Sequence, residues 1–387
     1  MLLESIDYSQ FRGTPSQWRL TGCTLGDINL IVGKNATGKS RTLSVIRGLA
    51  DLLCGDRKPT FLSGDYRVVF DSKGCKTKYV LSYENSKVVR ERLVIGSTTY
   101  LSRGPGGKGR IRYQTLKGGM GFLEFQMPET ELAVFGRRDL IQHPFLEALY
   151  SWGKSVTHYN FGTQLGKDLL LIVLPKDRES GEQSGLNLKD TNKVVQTFRE
   201  GEKKFGSKFT DSIMSDMRKV GYRLSEIGLS PPRSIIVQTN LPAEVLGLYV
   251  QENDLKGRTD QNEMSQGMFR ALSLIIQITY SQLAETPSCI LIDDIGEGLD
   301  YERSSALVKL IIKKAEGKPV QLVMATNDRF VMNKVPLKYW CAIHRIGGTS
   351  RIRNFRNSRK LFEDFELTGL NNFDFFSTNY YLKRQPW

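Results

Sequence analysis

Asp27-Ile28-Asn29-Leu30-Ile31-Val32-Gly33-Lys34-Asn35-Ala36-Thr37-Gly38-Lys39-Ser40 is the stretch that decides the fold. It opens on a short apolar run that reads as a buried strand. Gly33 to Ser40 then fits G-x-x-x-x-G-K-[ST] at every position, and an apolar periodic segment, Ser40 to Leu53, follows as a helix. The chemistry demands this order. Backbone N–H groups must crowd around a phosphate, which Gly33 and Gly38 permit. Lys39 brings a positive charge to the β- and γ-phosphates, Ser40 offers a hydroxyl to Mg²⁺, and the helix N-terminus favours the anion. Lys34, Asn35, Ala36, Thr37 and Arg41 complete the expected nucleotide-binding set.

A second stretch, Leu291-Ile292-Asp293-Asp294-Ile295-Gly296-Glu297-Gly298-Leu299-Asp300, puts two carboxylates at the end of another buried strand. Ligands of open α/β sheets bind at that end. Asp293 is expected in the Mg²⁺ shell, through water. Asp294 is expected to orient or deprotonate the attacking water, with Glu297 as a possible helper.

Working outward, residues 66 to 135 are rich in strand formers with turn residues between them, and predict an antiparallel sheet. The glycine-rich runs Arg103 to Arg110 and Lys117 to Gly121 lack a leading buried strand and a following helix, so they read as hairpins. Residues 140 to 227 read as mostly helical, with Asn192 to Tyr222 amphipathic and too short for a coiled-coil arm. Lys203, Lys204, Lys208, Arg218 and Lys219 there read as a solvated face or a nucleic-acid face. From Ser234 strands and helices alternate: Ser234–Val237, Met268–Leu283, Cys289–Ile292, Tyr301–Ala315, Val320–Met324 and Tyr339–Arg345. That order argues a parallel or mixed sheet.

Composition narrows the function classes. The chain of 387 residues carries a formal charge of +14, which favours an anionic partner, nucleic acid above all. Its five cysteines (Cys23, Cys54, Cys75, Cys289, Cys341) form no C-x-x-C pair, and its three histidines (His143, His158, His344) are scattered. Neither a disulfide framework nor a zinc centre is expected. No apolar run is long enough to span a membrane, and Met1 to Phe11 lacks a secretory pattern, so the expectation is a cytoplasmic protein.

With a third motif, Met264-Ser265-Gln266-Gly267-Met268-Phe269-Arg270-Ala271-Leu272, these stretches resemble the heads of ABC-type ATPases. The third motif looks like the family signature. The resemblance implies that Ser265, Gly267 and the helix they open bind the γ-phosphate held by an opposite subunit. Gly298-Leu299-Asp300 resembles the family's D-loop. Ser5 to Gly13, followed by the strand and phosphate loop, resembles the start of RecF, SMC and OLD-like heads. Phe365 to Phe376 is similar to the endings of ATPases from bacterial anti-phage systems. The resemblance covers roughly residues 1 to 60 and 234 to 345.

It implies an α/β P-loop NTPase fold with a mixed ABC-like sheet, an antiparallel β subdomain and an inserted helical lid. The expected domains are 1–139 (nucleotide-binding lobe with the β subdomain), 140–233 (lid) and 234–387 (signature, acidic strand and D-loop). ATP and Mg²⁺ are the implied cofactors.

Three departures bear on rate. Asp294 stands where the family has glutamate. Asn327 or Asp328 stands where it has a switch histidine, and Asn327 is counted as a nucleotide contact. The signature reads Ser-Gln-Gly. Gln126 and Gln142 are the candidates for the family's Q-loop glutamine.

Two functions remain open. One is an ATPase that dimerises head to tail around ATP, or forms a higher homo-oligomer, and couples this to nucleic acid or an effector protein in DNA repair or anti-phage defence. The other is a slowly hydrolysing, ATP-bound scaffold that holds a toxin or nuclease partner inactive. A transporter motor would need the full signature and a membrane-coupling element, a GTPase would need an N-K-x-D motif, and a small-molecule kinase would leave the signature and the late acidic strand unexplained.

Overall fold

The structure, a computed structural model, describes residues 1–60, 62–116, 118–174, 187–234 and 243–383. Two compact units emerge: Met1–Val156 with Gln321–Asn327 and Val335–Trp387, and Thr157–Val320 with Asp328–Lys334.

In the first unit, β1 (Leu2–Gln10), β2 (Trp18–Thr24) and β3 (Ile28–Val32) lead into helix α1 (Lys39–Leu53). A meander follows: β4 (Ser63–Ser72), β5 (Cys75–Glu84), β6 (Lys87–Ile95), β7 (Thr98–Arg103), β8 (Lys108–Gln114) and β9 (Met120–Gln126). Its first two turns are two-residue hairpins, Lys73-Gly74 and Asn85-Ser86, with positive φ at both positions of each. That is the twist short hairpins prefer. Both glycine-rich runs are hairpin turns, at β7–β8 and β8–β9; Lys117 lies outside the described residues.

The short helix α2 (Ala133–Gly136) and helix α3 (Glu147–Ser155) come next, then β10 (Val156–Asn160) at the start of the second unit. The second unit continues with β11 (Leu171–Val173), helices α4 (Val194–Phe205) and α5 (Ser207–Lys219), β12 (Leu224–Ser230), β13 (Glu244–Glu252) and β14 (Thr259–Asp260). It closes with α6 (Gln266–Leu283), β15 (Ser288–Asp293), α7 (Tyr301–Ala315) and, beyond β16, the short helix α8 (Arg329–Lys334). Strands β16 (Val320–Thr326), β17 (Trp340–Ile346) and β18 (Thr349–Asn354) and helices α9 (Arg359–Glu366) and α10 (Asn372–Ser377) belong to the first unit, save Val320.

The first unit's sheet runs β16-β3-β17-β18-β2-β1-β4-β5-β6-β7-β8-β9. β16 and β17 flank β3 in parallel, while the meander is antiparallel throughout. β3 is buried at every position, as a strand covered on both faces should be. The meander alternates instead: Tyr66, Val68, Phe70, Tyr79, Leu81, Leu93 and Leu101 point into the core, and charged side chains point out. In the core side of the meander, Glu91 is fully buried and is satisfied by the Ala133 and Val134 amides, the Tyr79 hydroxyl and Arg103.

The second unit holds the small antiparallel sheet β11-β13-β12, with β14 beside β13, and β10 beside β15. Helix α6 is its core, with fourteen of its residues buried. Helices α4 and α5 pack on it and on each other through Phe198, Phe205, Phe209 and Tyr280. The stretch 140–233, expected to be a helical insert, is shared between the two units and carries β10, β11 and β12 as well as its helices. β10 follows α3 with no intervening turn residue, so nothing in the sequence marks its start. The expected strand Ser234–Val237 lies, from 235 on, outside the described residues. Phe365 to Phe376 forms part of an aromatic core: Phe365 and Phe375 are buried with their rings 5.1 Å apart. No helix among the described residues is long and apolar enough to cross a membrane.

Candidate nucleotide-binding site

The phosphate loop belongs to the first unit and is built as the sequence demands. Gly33 follows the last residue of β3. A Cβ there would lie 2.6 Å from Ile343 Cγ2 and 2.7 Å from the Ile343 carbonyl oxygen, so only glycine fits. Ala36 takes φ 61° and Gly38 φ 105°, which wraps the chain back onto the start of α1. Gly38 is the N-cap of α1 and provides no side-chain acceptor, and the first turn holds no acidic residue. The N–H groups at this helix end therefore have no capping side chain, which suits an anion.

Lys39 is buried, and its ammonium donates to the carbonyls of Gly33 (2.8 Å) and Lys34 (3.2 Å). Lys34, Asn35, Ala36, Ser40 and Arg41 are exposed, and Thr37 and Gly38 half-buried. Arg41 stacks over the Trp18 ring at 4.0 Å and donates to Gln10 Oε1. Arg345, at the end of β17, reaches the Ala36 carbonyl at 3.4 Å. The Arg41 guanidinium pKa is lowered, by partial burial first and by the Arg345 charge in the same direction. Thr326 pairs with Val32, so Asn327 follows β16 at the level where Gly33 follows β3.

The acidic strand end, the signature and the D-loop lie in the second unit. Asp293 ends β15, is buried, and has an Oδ1 with no hydrogen-bond partner. A buried carboxylate oxygen left in that state fits a divalent cation or its water. Asp294 adopts φ 52°, a left-handed conformation that aspartate tolerates better than most residues. The turn after it closes through the Glu297 N–H to the Asp294 carbonyl (3.0 Å) and the Leu299 N–H to the Gly296 carbonyl (3.1 Å). Glu297 is exposed. Asp328 accepts from the Phe330 N–H, so its carboxylate serves the start of α8.

Ser265 caps α6, accepting from the Met268 N–H at 3.2 Å. A Cβ on Gly267 would collide with the Gly298 carbonyl oxygen, so the signature glycine and the D-loop are in contact. Arg270, buried one turn into α6, donates to the Glu297 carbonyl (3.0 Å) and the Thr163 carbonyl (3.3 Å). Tyr222 lies beside Ser265 and beneath the Arg303 guanidinium, which also pairs with Asp300. Asp300 caps α7, and the Arg303 backbone N–H, followed by the Arg303 side chain, holds its carboxyl below the usual range.

The structure thus collects Gly33, Lys34, Asn35, Ala36, Thr37, Gly38, Lys39, Ser40, Arg41 and Asn327 in one unit. Asp293, Asp294, Glu297, Ser265 and Gly267 are collected in the other. Gln126 bonds Gly106 within its own hairpin and Gln142 sits in the turn opened by Asp139. Among the described residues neither reaches the phosphate loop through a hydrogen bond. Trp18, Ser350, Arg345, Tyr222 and Arg303 carried no motif. Arg270 lay inside the signature, a lone cation in an apolar helix, and that was its signal. All five cysteines are free. Among the described residues, Asp51, Cys54 and Asp56 lie close enough together to hold a cation. Arg47 and Lys154 already neutralise the two carboxylates.

No protein-family model and no curated protein sequence matches the chain. Solved structures do. The SMC head domain from Thermotoga maritima is 12% identical with a TM-score of 0.44, covering 92% of this chain and 99% of that one. An SMC head with an extended coiled coil, bound to a ScpA C-terminal domain derived from Pyrococcus furiosus, is 11% identical with a TM-score of 0.46, covering 94% and 99%. An SMC head bound to the C-terminal winged-helix domain of ScpA is 12% identical with a TM-score of 0.52, covering 93% of this chain and 100% of that one. On this last likeness the chain has a fold similar to an SMC head domain, an ABC-type ATPase fold.

Proposed function

We propose that this protein is a magnesium-dependent ATPase that binds ATP at Gly33–Arg41. Two copies close head to tail around the nucleotide and couple that closure to nucleic acid. The observation that carries the reading is the uncapped start of α1: Gly38 at φ 105° with Lys39 buried behind it. In this reading Lys39 would leave the Gly33 carbonyl for the β- and γ-phosphates, Ser40 and Asp293 would each serve as a ligand for Mg²⁺ or its water, and Asp294 would orient the attacking water. Mg²⁺ would neutralise charge developing on the phosphates. Ser265 and Gly267 would meet the γ-phosphate of the other copy, and Asn327 would take the place of the switch histidine. Aspartate at 294 is one methylene shorter than the glutamate of the resembled family, so turnover is slow.

The nucleic-acid part draws on the outer face of the meander. Across that face the register aligns Arg67, Val80, Arg92, Ser102 and Arg110 in one row. Three exposed arginines on alternate strands span four strand spacings, roughly 19 Å. Arg110 has a long 3.8 Å ion contact with Glu124 and lies over the Phe122 ring, and among the described residues Arg67 and Arg92 have no ion-pair partner. Lys78 and Arg90 extend the same face. Such a row complements a phosphate backbone. Use in DNA repair or anti-phage defence follows from the same reading, since both employ a clamp gated by nucleotide and DNA.

The second reading is an ATP-bound scaffold that keeps an effector inactive. The short carboxylate of Asp294 and the absence of histidine from residues 325–328 favour it. Equilibrium binding of Mg-ATP and steady-state turnover, for wild type and Lys39→Ala, test the assignment. Micromolar binding lost in Lys39→Ala supports a nucleotide site; equal weak binding by both proteins contradicts it. Turnover stimulated by duplex DNA favours the clamp over the scaffold.

A further inference from the structure

In a trans peptide the carbonyl and the next N–H point in opposite directions. Whatever fixes the Thr37 carbonyl therefore also fixes the direction of the Gly38 N–H. The Thr37 carbonyl oxygen accepts a hydrogen bond from Ser350 Oγ at 2.7 Å. Ser350 is fully buried on β18, more than three hundred residues along the chain from the loop. Its Oγ accepts in turn from Trp18 Nε1 at 3.1 Å. The indole nitrogen can only donate, so the single hydroxyl proton of Ser350 is left for Thr37. The relay runs one way: Trp18 to Ser350 to Thr37.

Trp18 is itself held fast. It is buried, packs on Tyr8 with ring centroids 6.0 Å apart, and is covered by the Arg41 guanidinium. Both relay members also press on Gly38, where a Cβ would lie 3.0 Å from Ser350 Oγ and 3.3 Å from Trp18 Cζ2. Cations hold other loop carbonyls: Lys39 on Gly33, Arg345 on Ala36, and Lys39 on Lys34, whose carbonyl also accepts from Thr37 Oγ1 within the loop. Those cations are exchangeable when an anion enters. The relay is neutral and stays.

We propose that Ser350, backed by Trp18, is a positioning residue for the nucleotide: it holds the Thr37 carbonyl back against the buried β18 and so aims the opposite Gly38 N–H into the phosphate cradle. This rests on the nucleotide reading above. Ser350 touches no phosphate and acts through the loop backbone.

ADP needs the cradle and is not hydrolysed there, so its affinity is the readout. Calorimetry with ADP compares wild type, Ser350→Ala, Ser350→Thr and Trp18→Phe, at a temperature where circular dichroism shows each protein folded. Loss of one net hydrogen bond predicts about fivefold weaker ADP binding in Ser350→Ala. Ser350→Thr keeps the hydroxyl and should stay within about threefold of wild type. Trp18→Phe leaves the Ser350 proton free to turn elsewhere and should weaken binding about threefold. Amide exchange over residues 33–40 should quicken in Ser350→Ala without ligand. Wild-type ADP affinity in Ser350→Ala, with only a lower melting temperature, overturns the proposal and leaves a packing contact. If Ser350→Ala does not fold, Trp18→Phe decides alone, and unchanged affinity overturns it. A wild type that binds no ADP fails the nucleotide reading itself, a different and recognisable result.

Discussion

Arg270 donates from within α6 to the carbonyl oxygen of Glu297 at 3.0 Å, tying the helix that Ser265 opens to the turn that follows Asp294. The guanidinium is buried and its pKa is pulled down by that burial, opposed by the Glu297 charge. The start of α6 and the turn Asp294–Asp300 are therefore tied together within their unit. Arg270→Met keeps the packing volume and removes both of its backbone tethers. ATP affinity should hold within about twofold, while ATP-dependent dimerisation weakens at least tenfold, since a buried charged hydrogen bond contributes about 1.5–3 kcal/mol. Titration by light scattering checks this, and an unchanged dimerisation constant counts against the coupling.

Gly33→Ala puts a methyl group against Ile343, whose Cγ2 and carbonyl oxygen stand 2.6 and 2.7 Å from the new atom. One is main chain, so the loop must move. ADP binding should fall by at least about tenfold, a loss of 1.4 kcal/mol or more. Calorimetry that finds normal affinity would mean the loop is not the nucleotide cradle.

Neutralising Arg67, Arg92 and Arg110 together should lower duplex-DNA affinity and flatten its salt dependence. Each phosphate contact contributes close to 0.9 to the slope of log K against log salt, so the slope should shrink by about 3. An unaltered slope would move the nucleic-acid surface elsewhere.

His143 supplies a pH signature. It is buried, and burial lowers its pKa below the ordinary value, opposed by a contact with the Arg137 backbone and by the Asp139 charge. His344 shifts the same way, by burial and then by Arg353 and Arg351. A histidine with a lowered folded pKa takes up its proton more readily unfolded. Stability is then full above the unfolded pKa of about 6.5 and falls as pH drops below it. Melting temperature should decline between pH 7 and 5.5, and His143→Phe should reduce that slope. Identical slopes in both proteins would refute the assignment.

Much of this was legible because it is local. The order β3, loop, α1 follows from a buried run, two glycines and a helical period, and β15 with its two aspartates follows likewise. The meander showed through its hairpin residues, Lys73-Gly74 and Asn85-Ser86. What stayed hidden depends on contacts distant in sequence. Ser350 is an unremarkable serine until β18 lies beside β2 and its hydroxyl meets Thr37. The row from Arg67 to Arg110 exists only once four strand registers are set. Between residues 140 and 233 helical spacing marks α4 and α5, while β10 and β11, five and three residues long, are too short to show an alternation. The aromatic ending near Phe375, read through a family likeness, is used in packing.

In the proposed assembly ATP joins two copies of this chain through Lys39 on one and Ser265 on the other. Mass measured by multi-angle scattering, with and without Mg-ATP, tests it most directly for wild type, Lys39→Ala and Asp294→Asn. Wild type should form an ATP-dependent dimer, Lys39→Ala none, and Asp294→Asn a persistent dimer because hydrolysis no longer releases it. A mass indifferent to ATP in all three proteins would contradict that assembly.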